Sequence, residues 1–201
     1  MDQHHNYNMK GLFFLISGPS GVGKGTVISA LKKLYPNFIF PLSHTTRAKR
    51  AGEKDGQVYH FISKKDFEAE MQRGNFLEWA QVHGKDYYGT LKKPILEALE
   101  RGFMVVREVD VQGFHSIRKF IPKENLVTIF LKAESTEKLI ARIAKRGFIS
   151  EEELQRRLES AKKELAEAHL FDYQVYSLEN KISQCVAEVK KIILTHIKNA
   201  D

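Results

Sequence analysis

The sequence predicts an α/β fold: a three-layer core around a mainly parallel sheet, with a mixed α/β lobe inserted into it and a small helical lid. Three observations carry that expectation. Short apolar runs alternate with helix-period stretches along most of the 201 residues, the pattern of βαβ units. A glycine-rich turn, Gly18-Pro19-Ser20-Gly21-Val22-Gly23-Lys24-Gly25-Thr26, joins one such run to one such helix. Residues 38–90 then break the alternation.

Taken in order, residues 1–10 ("MDQHHNYNMK") lack any cationic-then-apolar character and are expected to be a flexible tail. The first core strand is expected at Leu12–Ser17, followed by a helix near 24–35. The lobe at 38–90 holds strand-like runs at Val58–Ser63 and Phe76–Val82 and a short helix near 65–73. The core therefore comprises 11–37 and 91–201. Its remaining strands are expected at Phe103–Asp110, Leu126–Lys132 and Tyr173–Ser177, with helices near 92–101, 111–120, 136–146, 151–169 and 180–198. Ser150 and Glu153 form a capping box for the helix at 151–169, and acids in its first turn complement the helix dipole. The arginine- and acid-rich stretch at about 142–160 is expected to be a mobile lid.

A composition of 42% hydrophobic and 28% charged residues supports a buried core of one domain. The single cysteine, Cys185, excludes an internal disulfide framework and, with no secretory leader, points to a reducing, cytoplasmic setting. No apolar run approaches the ~20 residues that span a bilayer, so no membrane partner is expected. The formal charge of +7 suggests an anionic partner, polynucleotide or free nucleotide.

The glycine turn narrows that choice. Small residues let successive backbone N–H groups converge on a polyphosphate, the following helix adds its positive end, and Lys24 reaches the β- and γ-phosphates. Gly25 stands where such loops carry a Ser or Thr that holds magnesium; Thr26, one residue on, is placed to touch a phosphate. Magnesium keeps most of its waters and needs only one or two carboxylates. Glu108 and Asp110, two apart at the carboxyl end of a core strand, supply them on one face.

Beyond the loop, "LSHTTRAKRAGEKDGQVYHF" and "FLEWAQVHGKDYYGT" resemble the guanylate kinase family, in which two such segments build a GMP pocket. The resemblance runs from about Leu12 to Glu188 and implies ATP as phosphoryl donor with Mg2+. It implies that Arg47, Arg50, Tyr59 and Tyr88 hold the GMP phosphate, and that Ser43, Glu78 and Thr90 read the guanine, which Asp110 also approaches. Arg142, Arg146 and Arg157 would close over the ATP phosphates, and Glu108 would sit near the metal, where relatives often carry Asp. Ser177 and Leu178 replace the usual Asn-Asp pair beside the adenine, which leaves strictness for ATP open.

These residue types fit the chemistry. One carboxylate at Glu78 can accept from both N1–H and the 2-amino group of guanine, whereas adenine would leave it unpaired. Arg47 and Arg50, three apart, can grip one phosphate with planar forks. The expected reaction is ATP + GMP → ADP + GDP. The alternatives are a guanylate kinase-like module that binds phosphopeptides without catalysis, a kinase for another monophosphate such as AMP, and a nucleic-acid-binding protein. Retention of Lys24, Thr26 and the lid arginines opposes the first, Glu78 the second, and the mapping of basic residues onto phosphate-gripping motifs the third. Monomer and homodimer are both compatible with the sequence.

Overall fold

A computed structural model of the chain describes residues 9–82, 84–144 and 151–198. At its centre lies β1 (Phe13–Ser17), every residue of which is buried. It pairs in parallel with β6 (Val105–Glu108) on one side and β7 (Leu126–Ala133) on the other, and β8 (Tyr173–Ser177) pairs with β7, giving the order β6-β1-β7-β8. Such a strand has no solvent face, which is why "FFLIS" shows no alternation. The alternation is instead between two cores. Phe13 and Leu15 join Phe130 with Leu99 of α3 (Lys92–Glu100) and Phe114 of α4 (Val111–Ile117). Phe14 and Ile16 face the other way, onto Val27 and Leu31 of α1 (Lys24–Leu34) and Val189 and Ile193 of α7 (Ile182–Lys198). Helices on both faces of a parallel sheet make the three-layer core.

A second sheet has the order β3-β2-β5-β4, built from β2 (His44–Thr45), β3 (His60–Phe61), β4 (Phe76–Val82) and β5 (Asp86–Leu91). Helix α2 (Lys64–Gln72) is N-capped by Ser63, whose oxygen accepts from the Asp66 amide at 3.1 Å. It buries Phe67 completely between Phe76 (centroids 4.3 Å apart) and Tyr87 (5.3 Å). That one side chain contributes about 2–3 kcal/mol of burial and fixes α2 on the sheet. The remaining helices, α5 (Thr136–Ala144) and α6 (Glu151–Ala166), flank the glycine turn.

Several boundaries differ from the sequence reading, for local reasons. The run expected at Val58–Ser63 pairs only at His60–Phe61, because a turn closed by Gly56 N–H to Tyr59 O occupies its start. The strand at 103–110 shortens to Val105–Glu108, since Asp110 turns out as the N-cap of α4. Helix α7 begins at Ile182, two residues late, because Asn180 adopts φ 57° in a left-handed turn. β2 and β5 are absent from the reading altogether. The tail at 1–8, Arg146 and the Ser150 half of the capping box lie outside the described residues. Among the described residues, no helix is long and apolar enough to cross a membrane.

Candidate active site

The glycine turn runs from the end of β1 to the start of α1. Gly18, Gly21 and Gly23 have φ of 141°, 86° and 102°, values that side-chain-bearing residues rarely adopt. Gly23 is the N-cap of α1 with no side-chain bond, so its carbonyl takes the amides of Thr26 and Val27 at 3.1 Å each. Lys24 folds back along the loop and donates to the carbonyls of Gly18 and Pro19. Pro19, Ser20, Gly21 and Gly25 face a cleft of about 370 Å³ whose other wall is acidic: Glu108, Asp110 and Glu164. Val22 is buried beneath the loop. Gly25 opens onto this cleft, with no atom within 4 Å of where a Cβ would stand.

The expected carboxylate pair does meet the loop, with a division of labour. Asp110 Oδ1 accepts the Gly113 amide at 2.8 Å and so caps α4. Glu108 Oε2 is buried with no hydrogen-bond partner among the described residues. An orphaned carboxylate oxygen beside a phosphate-type loop fits a hydrated cation or an ordered water. Among the described residues, no group of three or more His, Cys, Asp or Glu side chains could hold a metal by itself.

Glu164 was missed by the sequence reading. It projects from α6, in a helix so rich in charge that nothing local marks it. Burial pushes its carboxyl above the usual range, opposed by nearby Lys24 and by a hydrogen bond from Ser160 (3.2 Å), while Asp110 reinforces the rise.

A second cavity, about 320 Å³, lies between the two sheets and is walled by Ser43, Tyr59, Tyr88, Arg107 and again Glu108. Glu78 and Thr90, twelve residues apart, stand directly opposite in the β4–β5 pair, and the Thr90 hydroxyl donates to Glu78 Oε1 at 2.5 Å. Ser43 and Glu78 are joined through Arg107, whose Nη2 donates to Ser43 Oγ at 2.7 Å and to Glu78 Oε1 at 3.1 Å. The sequence reading assigned Arg107 nothing.

On the same side, Arg47 lies over the rings of Tyr59 and Phe61 at 5.5 Å each, and Tyr59 meets Tyr88 edge-on at 5.6 Å. Arg47 Nη2 donates to both oxygens of Glu53, at 2.9 and 3.0 Å, while its Nη1 donates to Ala48 O at 2.7 Å, and the Arg50 amide donates to the same Glu53 carboxylate at 2.8 Å. The Arg47 bond, followed by the Arg50 amide, holds the Glu53 carboxyl below its ordinary range. Glu53 thus fixes the turn that carries both arginines. Arg50 is exposed, while Arg47, Tyr59 and Tyr88 are half-buried. Of the residues expected to hold GMP, Ser43, Tyr59 and Tyr88 line this cavity, whereas Arg47, Arg50, Glu78, Thr90 and Asp110 are not among its lining residues.

A third cavity, about 390 Å³, lies on the opposite flank of the loop, against Gly21, Gly23 and Thr26, with Ser177 and Leu178 across from them. Arg142 of α5 enters it: Nη1 is 3.4 Å from Ser177 Oγ, and Nη2 is buried without a partner among the described residues. Arg157 is half-buried on α6.

A profile of the guanylate kinase family matches residues 10–196. A guanylate kinase of Carboxydothermus hydrogenoformans is 39% identical over 184 residues, 92% of this chain and 88% of the relative. One of Clostridium tetani is 42% identical over 184 residues, covering 92% and 86%. A crystal structure of guanylate kinase from Anaplasma phagocytophilum superposes with a TM-score of 0.70 at 27% identity, covering 93% of this chain and 86% of that one.

Proposed function

The chain belongs to the guanylate kinase family, and we propose from that premise that it transfers the γ-phosphoryl group of ATP to GMP, and to dGMP, giving ADP and the nucleoside diphosphate. One observation supports this most directly: Glu108, at the carboxyl end of β6, lines both the cleft beside the glycine loop and the cavity of Ser43, Tyr59 and Tyr88. Two ligands seated in those spaces meet at one side chain.

In this reading Gly18–Thr26 wraps the ATP phosphates with backbone N–H groups, and Lys24 swings from its loop carbonyls to the β- and γ-oxygens. Arg47, Arg50, Tyr59 and Tyr88 hold the GMP phosphate. Arg47 arrives already oriented by Glu53, so an incoming phosphate shares a preset guanidinium. Ser43, Glu78 and Thr90 read the guanine, and Asp110 offers the cleft the oxygen that does not cap α4. Arg142, Arg146 and Arg157 close over the transferring group and exclude water. The acceptor phosphate is itself an anionic nucleophile, so the protein supplies alignment and charge rather than a general base. Glu108, directly or through water, is the residue suited to hold Mg2+. When bound, that ion would neutralise charge across the β- and γ-phosphates.

A cytoplasmic setting belongs to the same reading. It is supported by the chain's having a single cysteine, Cys185, which is buried and whose thiol burial pushes up to about 11.

The test is ADP formation from ATP, Mg2+ and GMP by the wild type and Lys24→Met. Loss of a phosphate-stabilising cation is expected to lower kcat by about 10²-fold or more, with the KM for GMP within about threefold. Equal losses in both parameters would contradict the role given to Lys24.

A further inference from the structure

Arg107 lies in a run, "VVREVD", that reads as an ordinary core strand, yet its side chain is only 14% exposed and that of its partner Glu78 11%. Nη1 donates to Pro41 O at 3.0 Å, and Nη2 to Ser43 Oγ and Glu78 Oε1. Its Nε is buried with no hydrogen-bond partner among the described residues. Burying a guanidinium this far is costly, so the fork does more than fill space. It fixes the polarity of two neighbours.

A serine hydroxyl has one proton and two lone pairs. Ser43 Oγ accepts from a cation, which occupies one lone pair and polarises the O–H into the stronger remaining group, a donor. Glu78 Oε1 already takes two donors, Thr90 and Arg107, which leaves Oε2 as the main open acceptor. Ser43 and Arg107 line the cavity, and the Glu78 carboxylate shares the same Arg107 nitrogen with Ser43, so a hydroxyl donor stands beside a carboxylate acceptor at the cavity's edge. A 6-oxo, 2-amino purine has the matching edge: an acceptor at position 6, then donors at N1 and the 2-amino group. A 6-amino purine reverses the first two, a donor facing a donor and an acceptor facing an acceptor.

We propose that Arg107 is a positioning residue for the choice of acceptor base: acting through Ser43 and Glu78, it sets the donor–acceptor order that guanine matches and adenine opposes. This rests on the reading of Ser43 and Glu78 as the groups that face the base. Without Arg107, the Ser43 hydroxyl can rotate and accept from a 6-amino group.

The experiment compares kcat/KM for GMP and AMP in the wild type, Arg107→Met, Arg107→Lys and Ser43→Ala, and in Ser43→Ala combined with Arg107→Met. Because each GMP:AMP ratio comes from one preparation, partial unfolding of a variant cancels. Arg107→Met is expected to lower the ratio by at least about tenfold, the scale of a hydrogen bond to a charged group. Arg107→Lys keeps a cation but no fork, and is expected to lower it at least about threefold and to fold if the methionine variant does not. In the Ser43→Ala background, the effect of Arg107→Met should shrink, because the two act as a unit. A wild-type preference for GMP that survives unchanged in both Arg107 variants would overturn the proposal while leaving the proposed function standing. A wild type that does not phosphorylate GMP would instead remove the reading on which it rests.

Discussion

Gly18 is the position where the loop geometry makes its most quantitative demand. A Cβ added there would stand 2.4 Å from Leu131 O and 3.2 Å from Val22 Cγ1, and the residue's φ of +141° lies where side chains are strained. Leu131 is fully buried in β7, beside β1, so the clashing oxygen cannot move without moving the sheet. Gly18→Ala thus combines an unfavourable backbone, about 1–3 kcal/mol, with forced displacement in a packed core, again about 1–3 kcal/mol. The total, about 2–6 kcal/mol, corresponds to a Tm lowered by about 5–20 °C for a chain of this size. The same shift moves the loop carbonyl that Lys24 binds, so kcat/KM for ATP should fall by about tenfold or more, since an ångström-scale misplacement can cost about 10²-fold. Gly25→Ala is the built-in comparison: nothing lies within 4 Å of its Cβ, and it sits in the first turn of α1, where alanine favours helix over glycine. Its Tm should equal or exceed that of the wild type. Thermal melts by circular dichroism and ATP titrations decide the matter. A Gly18→Ala protein melting within 1 °C of wild type, or a Gly25→Ala protein that loses as much stability as Gly18→Ala, would refute the steric argument, the first margin being below the smallest shift expected.

Two further outcomes follow from particular contacts. Glu78→Gln keeps the shape but replaces an acceptor by an amide, so kcat/KM for GMP should fall by about 10²-fold or more while AMP loses far less, measured by coupled ADP formation; equal losses for both nucleotides would be inconsistent with base reading. Asp172 accepts from the Thr128 amide (2.9 Å) and hydroxyl (2.7 Å) and from Lys123. Burial pushes its carboxyl up, but these bonds outweigh burial and hold it below the ordinary value of 3.8. A carboxylate depressed on folding stabilises above its unfolded pKa and loses that contribution as pH falls through the folded value. Asp172→Asn should therefore cost about 1–3 kcal/mol in urea melts at pH 7, and the difference should narrow below about pH 4. A gap that persists unchanged into acid would count against the charge as its source.

Legibility in the sequence tracked how local each cause is. The phosphate-type loop is read from nine consecutive residues, because its chemistry is a property of its own backbone. β1 and β7 declare themselves by composition because they are buried on both faces along most of their length, whereas the edge strand β8 alternates buried Val175 and Ser177 with exposed Gln174 and Tyr176. β2 and β5 are legible in neither way, because "HT" and "DYYGTL" become strands only through pairing: His44 with Gly89, and Thr90 with Glu78. Glu78 and Thr90 were linked by resemblance, and their contact across the hairpin is a fact of register. Arg107 carries no local signal, since its partners Ser43 and Pro41 are 64 and 66 residues away. The one available hint was an arginine inside a short core strand, a charge that must find partners or be expelled. Glu53 and Glu164 were hidden in the same way, each among many charges of which only folding selects one.

The measurement closest to the central claim is ADP production by the purified protein with ATP and Mg2+ across GMP, dGMP, AMP, UMP and dTMP. Turnover confined to GMP and dGMP is the predicted result. Comparable turnover on AMP would contradict the assignment of Glu78 and Ser43 as readers of guanine, and binding of GMP with no turnover on any acceptor would contradict catalysis itself and favour a guanylate kinase-like binding module.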